Sequence, residues 1–186
     1  MAHAFYDDPF FRFVIPNVTK RTRVLPWLFE KLLRYGQSYG CVYTTFEVDG
    51  VAMCLGPSHF AFNTTGALRT GLFLLPLKLT WQEMRRIIIL SNYTEQLHKR
   101  LVTEPHWYLY GVGVKPSRQG QEVGSALLRQ VLVRADRDAL TCYLDTTNEK
   151  NLPFYERLGF KVAACEQATR KSPQVWAMVR EGRLRI

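Results

Sequence analysis

Val112-Gly-Val-Lys-Pro-Ser-Arg-Gln-Gly-Gln-Glu-Val-Gly-Ser125 is the stretch that decides the fold. An apolar strand enters a short loop, and an amphipathic helix leaves it at once. The first four N–H groups of a helix have no partner within the helix, and the helix dipole adds partial positive charge at that end. A loop that delivers Gln119, Gly120, Gln121, Glu122, Val123, Gly124 and Ser125 into such an end offers a row of N–H groups to an anion. Gly120 and Gly124 carry no Cβ, so a ligand and the neighbouring strand can come close. The arrangement suits a phosphate-bearing cofactor. Val123, Leu127, Leu128, Val131, Leu132 and Ala135 recur at helical spacing and make one buried stripe, until Asp136, Arg137 and Asp138 break the pattern.

Upstream, Trp107 to Val114 is apolar on both faces, as in a central strand. Gly111 and Gly113 interrupt it. Glycine there marks a bulge or the close approach of a ligand or another backbone, or else packs beneath a large aromatic; both readings stay open. Downstream lies Asn148-Glu-Lys-Asn-Leu-Pro-Phe-Tyr-Glu-Arg-Leu-Gly-Phe160. Its Leu152 to Leu158 reads as a short helix, with Pro153 tolerated in the first turn.

These two segments resemble the GNAT superfamily of N-acetyltransferases. The superfamily's phosphate-loop pattern, Gln/Arg-x-x-Gly-x-Gly/Ala, falls on Gln119 to Gly124. Its second hallmark falls on Asn148, Tyr155, Leu158, Gly159 and Phe160. Glu104-Pro105 and Asn151 to Phe160 are worded most like the puromycin N-acetyltransferase group. The resemblance is strong from about Glu104 onward and weaker through residues 4–57; no motif matches within 58–103. It implies an α/β (α+β) fold, the acyl-CoA N-acyltransferase fold: a central mixed, mostly antiparallel sheet with a splayed pair of strands, flanked by helices. It also implies acetyl-CoA as cofactor. The main chain of Val112, Gly113 and Val114 would hold the pantetheine arm, the loop 119–125 the pyrophosphate, and Asn148 the arm from the opposite side. Tyr155 would be the general acid at the departing thiolate. No metal is implied. Two departures stand out. Glu122 replaces the middle glycine of the loop, and a carboxylate beside a pyrophosphate costs about 1 kcal/mol or more at short range. The expected first strand is missing, as though the chain began partway along the first helix near Ala4 to Asp8.

The general base stays open. The strand Trp107 to Val114 has no carboxylate. Glu104, His106, Tyr108, Tyr110, Asp145 and a water chain are the alternatives; His106 has a suitable unperturbed pKa. Tyr35, Tyr39 and Trp107, with the 58–103 block, either wall an aromatic acceptor pocket or belong to the core, the core being favoured for Trp107.

The remaining pattern is that of one domain spanning 1–186. Apolar residues are 47% and charged ones 22% of the 186, as in an ordinary globule. Lys20 to Tyr35 reads as a helix. Cys41 to Val48 and Val51 to Leu55 read as strands joined by an Asp49-Gly50 hairpin turn. Residues 72–101 read as helical, clearest from Trp81 to Lys99, overlying the substrate cleft. Thr141 to Thr146, Phe160 to Glu166 and Gln174 to Arg180 read as strands. Asp7, Asp8 and Arg12 interrupt any secretion signal, and Leu72 to Leu79 falls well short of the roughly 20 apolar residues of a spanning helix. Cys41, Cys54, Cys142 and Cys165 show no CxxC spacing and read as reduced core thiols of a cytoplasmic protein. The net charge of +9 favours anionic ligands, but the basic residues are scattered and make no stripe for nucleic acid. The expected partner is a small-molecule amine, with no nucleic acid and no membrane, acting on a monomer or homodimer. The alternatives are an acyl-CoA-binding regulatory protein with little turnover and a protein or peptide N-acetyltransferase.

Overall fold

A computed structural model describes residues 1–57 and 64–182. Helices α1 (Pro9–Val14) and α2 (Val18–Tyr39) lead into strands β1 (Gly40–Thr44) and β2 (Gly50–Leu55). After α3 (Thr64–Thr70) and a 3-10 turn (Leu72–Leu77) come α4 (Trp81–Leu101), β3 (His106–Val114), α5 (Val123–Arg137), β4 (Thr141–Thr146), α6 (Leu152–Glu156), β5 (Lys161–Gln167) and β6 (Gln174–Arg180). The six strands form one sheet in the order β1-β2-β3-β4-β6-β5. Every neighbouring pair is antiparallel except β3 and β4.

That one parallel pair positions everything that follows. It is paired only from His106↔Thr141 to Tyr108↔Tyr143. Beyond Tyr108 and Tyr143 the two strands no longer share a ladder, and a cleft opens between their C-terminal halves. The neighbouring β2–β3 register also slips there: Cys54 faces Leu109 and Met53 faces Gly111, leaving Tyr110 as the extra residue of a bulge. A bulge shifts the two-residue alternation of side chains. Tyr108, Tyr110, Gly111 and Gly113 therefore fall on one face of the sheet, while Leu109 and Val112 pack on the other.

Alternation sorts the rest of the core. Ala52, Cys54, Leu109, Cys142, Leu144 and Met178 meet the α5 stripe of Leu127, Leu128, Val131, Leu132 and Ala135 on one face. Met53 and Leu55 meet Leu25, Leu28, Phe29, Leu32 and Tyr35 of α2 on the other, and Tyr143, Val175 and Ala177 meet Leu90 and Leu97 of α4. Burying an aliphatic or aromatic side chain is worth roughly 1.5–3 kcal/mol, so both faces contribute. Arg180 clamps the layers together: its Nη atoms donate to both Asp136 carboxylate oxygens at 2.8 Å, and its Nε to the Leu158 carbonyl at 3.1 Å.

Several expectations need correction. The helix predicted over 72–101 is divided: Lys78 to Thr80 separate the 3-10 turn from α4, which starts after the N-cap Thr80 because Thr80 and Glu83 cap each other's backbone N–H groups in a capping box. Residues 58–63 of that block lie outside the described residues. β1 ends at Thr44, not Val48, because the Thr45 hydroxyl takes the Asp49 N–H at 2.8 Å and Val48 turns left-handed (φ 54°). The hairpin loop is thus Thr45 to Asp49 rather than a two-residue Asp49-Gly50 turn. The first helix starts afresh at Pro9, with the Asp8 side chain capping the Phe10 N–H. Cys41 and Cys54 are not free thiols: they sit directly opposite on β1 and β2, with Cα atoms 5.4 Å apart, and form a disulfide. The pairing follows from register, which spacing along the chain did not reveal. Cys142 and Cys165 are free.

Candidate active site

The cleft between β3 and β4 opens into two cavities. The first is a groove of about 850 Å³ lined by Val112, Gly113, Val114, Gln119, Gly120, Glu122, Val123, Gly124, Ser125 and Asn148, with Arg12, Arg118, Lys150 and Arg157 adding positive charge. Of the residues expected to hold a cofactor, only Gln121 does not line it; its side chain donates to the Ser117 carbonyl at 3.2 Å. The second cavity, of about 280 Å³, lies on the face covered by α1, α2 and α4. The two share Phe5, Asp8, Val112, Asn151 and Tyr155.

The loop is built by backbone conformation. Gly120 (φ 75°) and Glu122 (φ 61°) are both left-handed, and Glu122 occupies the N-cap of α5 without a side-chain capping bond. Nothing lies within 4 Å of where a Cβ on Gly120 would stand. The first N–H groups of α5 thus face the groove, as a helix N-terminus facing an anion requires. Glu122 itself is exposed. Gly124 is needed for packing: an added Cβ would meet Phe154 Cζ at 3.2 Å. Arg118 and Lys115 hold the loop's approach by pairing with Asp49 at 3.1 and 2.7 Å. Asn148 caps the 3-10 turn Glu149–Asn151 by accepting from the Lys150 N–H at 3.2 Å.

The two glycines of β3 do admit a close neighbour, which is the N-terminal segment. Added Cβ atoms would meet Met1 and Phe5 at Gly111, and Met1, Ala4 and Phe5 within 3.3 Å at Gly113.

Tyr155 is buried at the junction of the two cavities. Its phenol is pushed well up from the ordinary value by burial first, then by the negative charges of Asp8 and Asp145. Those two carboxylates stand on facing elements. Asp8 Oδ1 takes the Phe10 N–H at 2.9 Å and the Thr147 hydroxyl at 3.1 Å, which ties α1 to the end of β4. Asp145 Oδ2 takes the Tyr108 hydroxyl at 2.7 Å across the splay. Burial raises both carboxyls, and their hydrogen bonds only partly offset it.

His106 is drawn away from this chemistry. It is buried at the start of β3, its Nδ1 donating to the Glu104 carbonyl at 2.6 Å, and it lines neither cavity. Exposed Glu104 lines neither cavity either. Tyr35, Tyr39 and Trp107 are likewise packing residues and not pocket walls. The 58–103 block supplies Ser91, Thr94, Glu95 and His98 of α4 to the second cavity instead. Asp8 and His98 escaped the sequence reading. An Asp-Pro pair ahead of an apolar run is a helix-start signal that could have placed Asp8; nothing local marks His98.

Known proteins agree with this geometry. The sequence profile of the acetyltransferase (GNAT) family matches residues 86–160. An uncharacterised N-acetyltransferase of Schizosaccharomyces pombe is 25% identical over 183 residues, covering 94% of this chain and 73% of its own length. Among solved structures, a Corynebacterium glutamicum protein named for the histone acetyltransferase HPA2 and related acetyltransferases superposes with a TM-score of 0.59 at 22% identity, over 99% of this chain and 88% of its own. An agmatine N-acetyltransferase reaches 0.60 at 14% identity, over 97% and 90%. At those identities the structures speak for the fold alone. Among the described residues no helix is long and apolar enough to cross a membrane. The family profile falls on the segment that carries the loop and Tyr155, and the sheet has the fold of these structures, so the chain is similar to the GNAT-type N-acetyltransferases.

Proposed function

We propose that the protein, acting as one domain, moves an acetyl group from acetyl-CoA directly to the primary amine of a small molecule. One observation carries the reading: a groove ending at a helix N-terminus and a smaller cavity meet at Tyr155. In this scheme the amides of residues 119–125 bind the pyrophosphate, with Arg12, Arg118, Lys150 and Arg157 lining the same groove. The main chain of Val112 and Val114 and the side chain of Asn148 hold the pantetheine arm. The thioester then lies beside Tyr155, whose hydroxyl donates to the departing sulfur. Holding thioester and amine together makes the attack effectively intramolecular, and an N–H near Val112 polarises the carbonyl as charge develops.

A small acceptor is favoured over a protein because the second cavity, walled in part by α1, α2 and α4, measures only about 280 Å³, at the low end for ligand pockets. On the wording of Glu104-Pro105 and Asn151 to Phe160 we assign the chain to the neighbourhood of the puromycin-type enzymes. The test is twofold: calorimetric titration with CoA, and thiol release from acetyl-CoA in the presence of an amine panel. Tight binding with amine-dependent thiol release supports the reading. Absence of CoA binding, or amine-independent release alone, overturns it.

A further inference from the structure

The second cavity is sharply biased in charge. The chain carries +9 overall, yet no lysine or arginine lines this cavity; its charged side chains are Asp8, Glu95 and Asp145, and Met1, whose α-amino group burial pushes toward the neutral form, also lines it. Glu95 pairs with Lys99 at 2.5 Å. Asp8 and Asp145 have no ion-pair partner among the described residues; their bonds come from Phe10 N–H, Thr147 and Tyr108. Carboxylates in such surroundings are normally paired or neutralised. The rest of the wall is largely aromatic, with Phe10, Phe11, Phe29, Tyr108 and Tyr110. Aromatic faces attract cations and accept apolar bodies.

We propose that the acceptor is a compact amine with an apolar or aromatic body and no anionic group, its ammonium held between Asp145 and Asp8 beside Tyr155, and that Asp145 takes the proton that frees the amine for attack. This rests on the acetyl-transfer reading above. The steps balance as follows. One ammonium proton passes to Asp145. The nitrogen lone pair forms the C–N bond at the thioester carbonyl, and the C–S bond breaks with its electron pair leaving on sulfur. The Tyr155 proton goes to sulfur, the second nitrogen proton restores the phenol, and Asp145 returns its proton to water. The raised Asp145 carboxyl suits a group that must accept a proton. The bond from Tyr108 keeps one of its oxygens oriented, leaving the other for the amine. Added carboxylates on the substrate meet two negative charges at short range in a part-buried site, where repulsion is strong.

The discriminating pair is phenethylamine and phenylalanine, which differ by one carboxylate. Thiol release should favour phenethylamine by about 100-fold or more in kcat/KM, as an unpaired like charge in such a site predicts. Asp145→Asn keeps an acceptor for Tyr108 and should lower kcat/KM for the amine by about 100-fold or more, with CoA affinity unchanged and the acid limb of the pH profile lost. Asp8→Asn keeps the α1 cap and should raise KM for the amine with a smaller fall in kcat. Equal or better turnover of phenylalanine overturns the substrate class while leaving acetyl transfer intact. An unaltered pH profile in Asp145→Asn overturns its proton role. CoA binding without thiol release to any amine overturns both this inference and the reading beneath it.

Discussion

His98 Nε2 and His106 Nε2 lie 2.5 Å apart, one on α4 and the other at the first residue of β3. Because His106 Nδ1 donates to the Glu104 carbonyl, a neutral His106 carries no proton on Nε2, and His98 is the donor between them. His98 also stacks flat on Tyr143, centroids 4.0 Å apart. The pair thus joins α4 to the central strands, and it does so uncharged. Burial holds His98 down to about 3, helped by His106 and then Lys99, and burial lowers His106 as well.

A folded-state pKa below the unfolded one means that the unfolded chain binds more protons as the solution turns acid. Stability contributed by the pair is therefore complete above about pH 6.5 and is lost as pH falls below it. Each histidine adds a slope of up to about 1.4 kcal/mol per pH unit through that window. Urea midpoints measured from pH 7.5 to 5 should fall steadily, and His98→Phe, which preserves the stack on Tyr143, should flatten the curve. A wild-type profile that is level across this range contradicts the neutral pair.

Glu122 is an L-residue in a glycine conformation, at φ 61°. That geometry costs roughly 1 kcal/mol, which glycine avoids while giving back part of the gain as unfolded-state entropy. Glu122→Gly should leave stability unchanged or raise it by up to about 1 kcal/mol. It also removes a negative charge beside the proposed pyrophosphate, so CoA should bind about 5-fold tighter at low salt, the gain shrinking as salt screens it. Weaker CoA binding by the variant would show that the Glu122 carboxylate helps the loop instead of burdening it.

How far the sequence could be read depended on whether the signal was local. The α5 stripe, the loop and β4 were legible because apolar spacing and glycine placement are local properties, and Thr141–Thr146 and Gln174–Arg180 have the expected bounds. The larger groove was foreshadowed for the same reason: the residues expected at a cofactor lie in short segments of the chain, and all of them but Gln121 line that groove. The second cavity was not. It is assembled from Asp8 just before α1 and from Phe29, His98, Tyr108 and Asp145 on four elements, and no spacing along the chain brings these together. The Cys41–Cys54 pair belongs with that second group, being fixed by strand register, and the role of His106 stayed open in the sequence because its partner lies on another element.

The disulfide closes a 13-residue separation between edge strand β1 and β2. Constraining a loop of that size in the unfolded chain is worth about 3 kcal/mol in the chain-entropy account. Reduction, or the Cys41→Ser and Cys54→Ser double variant, should lower unfolding stability by roughly that amount. The groove proposed for CoA has neither cysteine in its lining, so CoA affinity should hold. Identical melting with and without reductant would mean that the bond is not formed in solution.

Tyr155 joins the two cavities, and its ionisation is opposed from three directions. Burial, Asp8 and Asp145 all push the phenol up, so it stays protonated throughout the neutral range, as the proposed role of donor requires. A donor placed at the sulfur lowers the barrier to C–S cleavage without needing to ionise, since a thiolate with an ordinary pKa near 8.5 is a fair leaving group once hydrogen-bonded. Tyr155→Phe keeps the ring that packs against Phe154 and Phe160 and removes only the hydroxyl. It should lower kcat about 100-fold while CoA affinity and thermal stability change little. The wild-type kcat should show no phenol ionisation below about pH 10. Asp145→Asn and Tyr155→Phe should also combine less than additively, because both act on the same proton transfers. A Tyr155→Phe enzyme with undiminished kcat would leave the aromatic ring as structure and send the search for the donor elsewhere in the cleft.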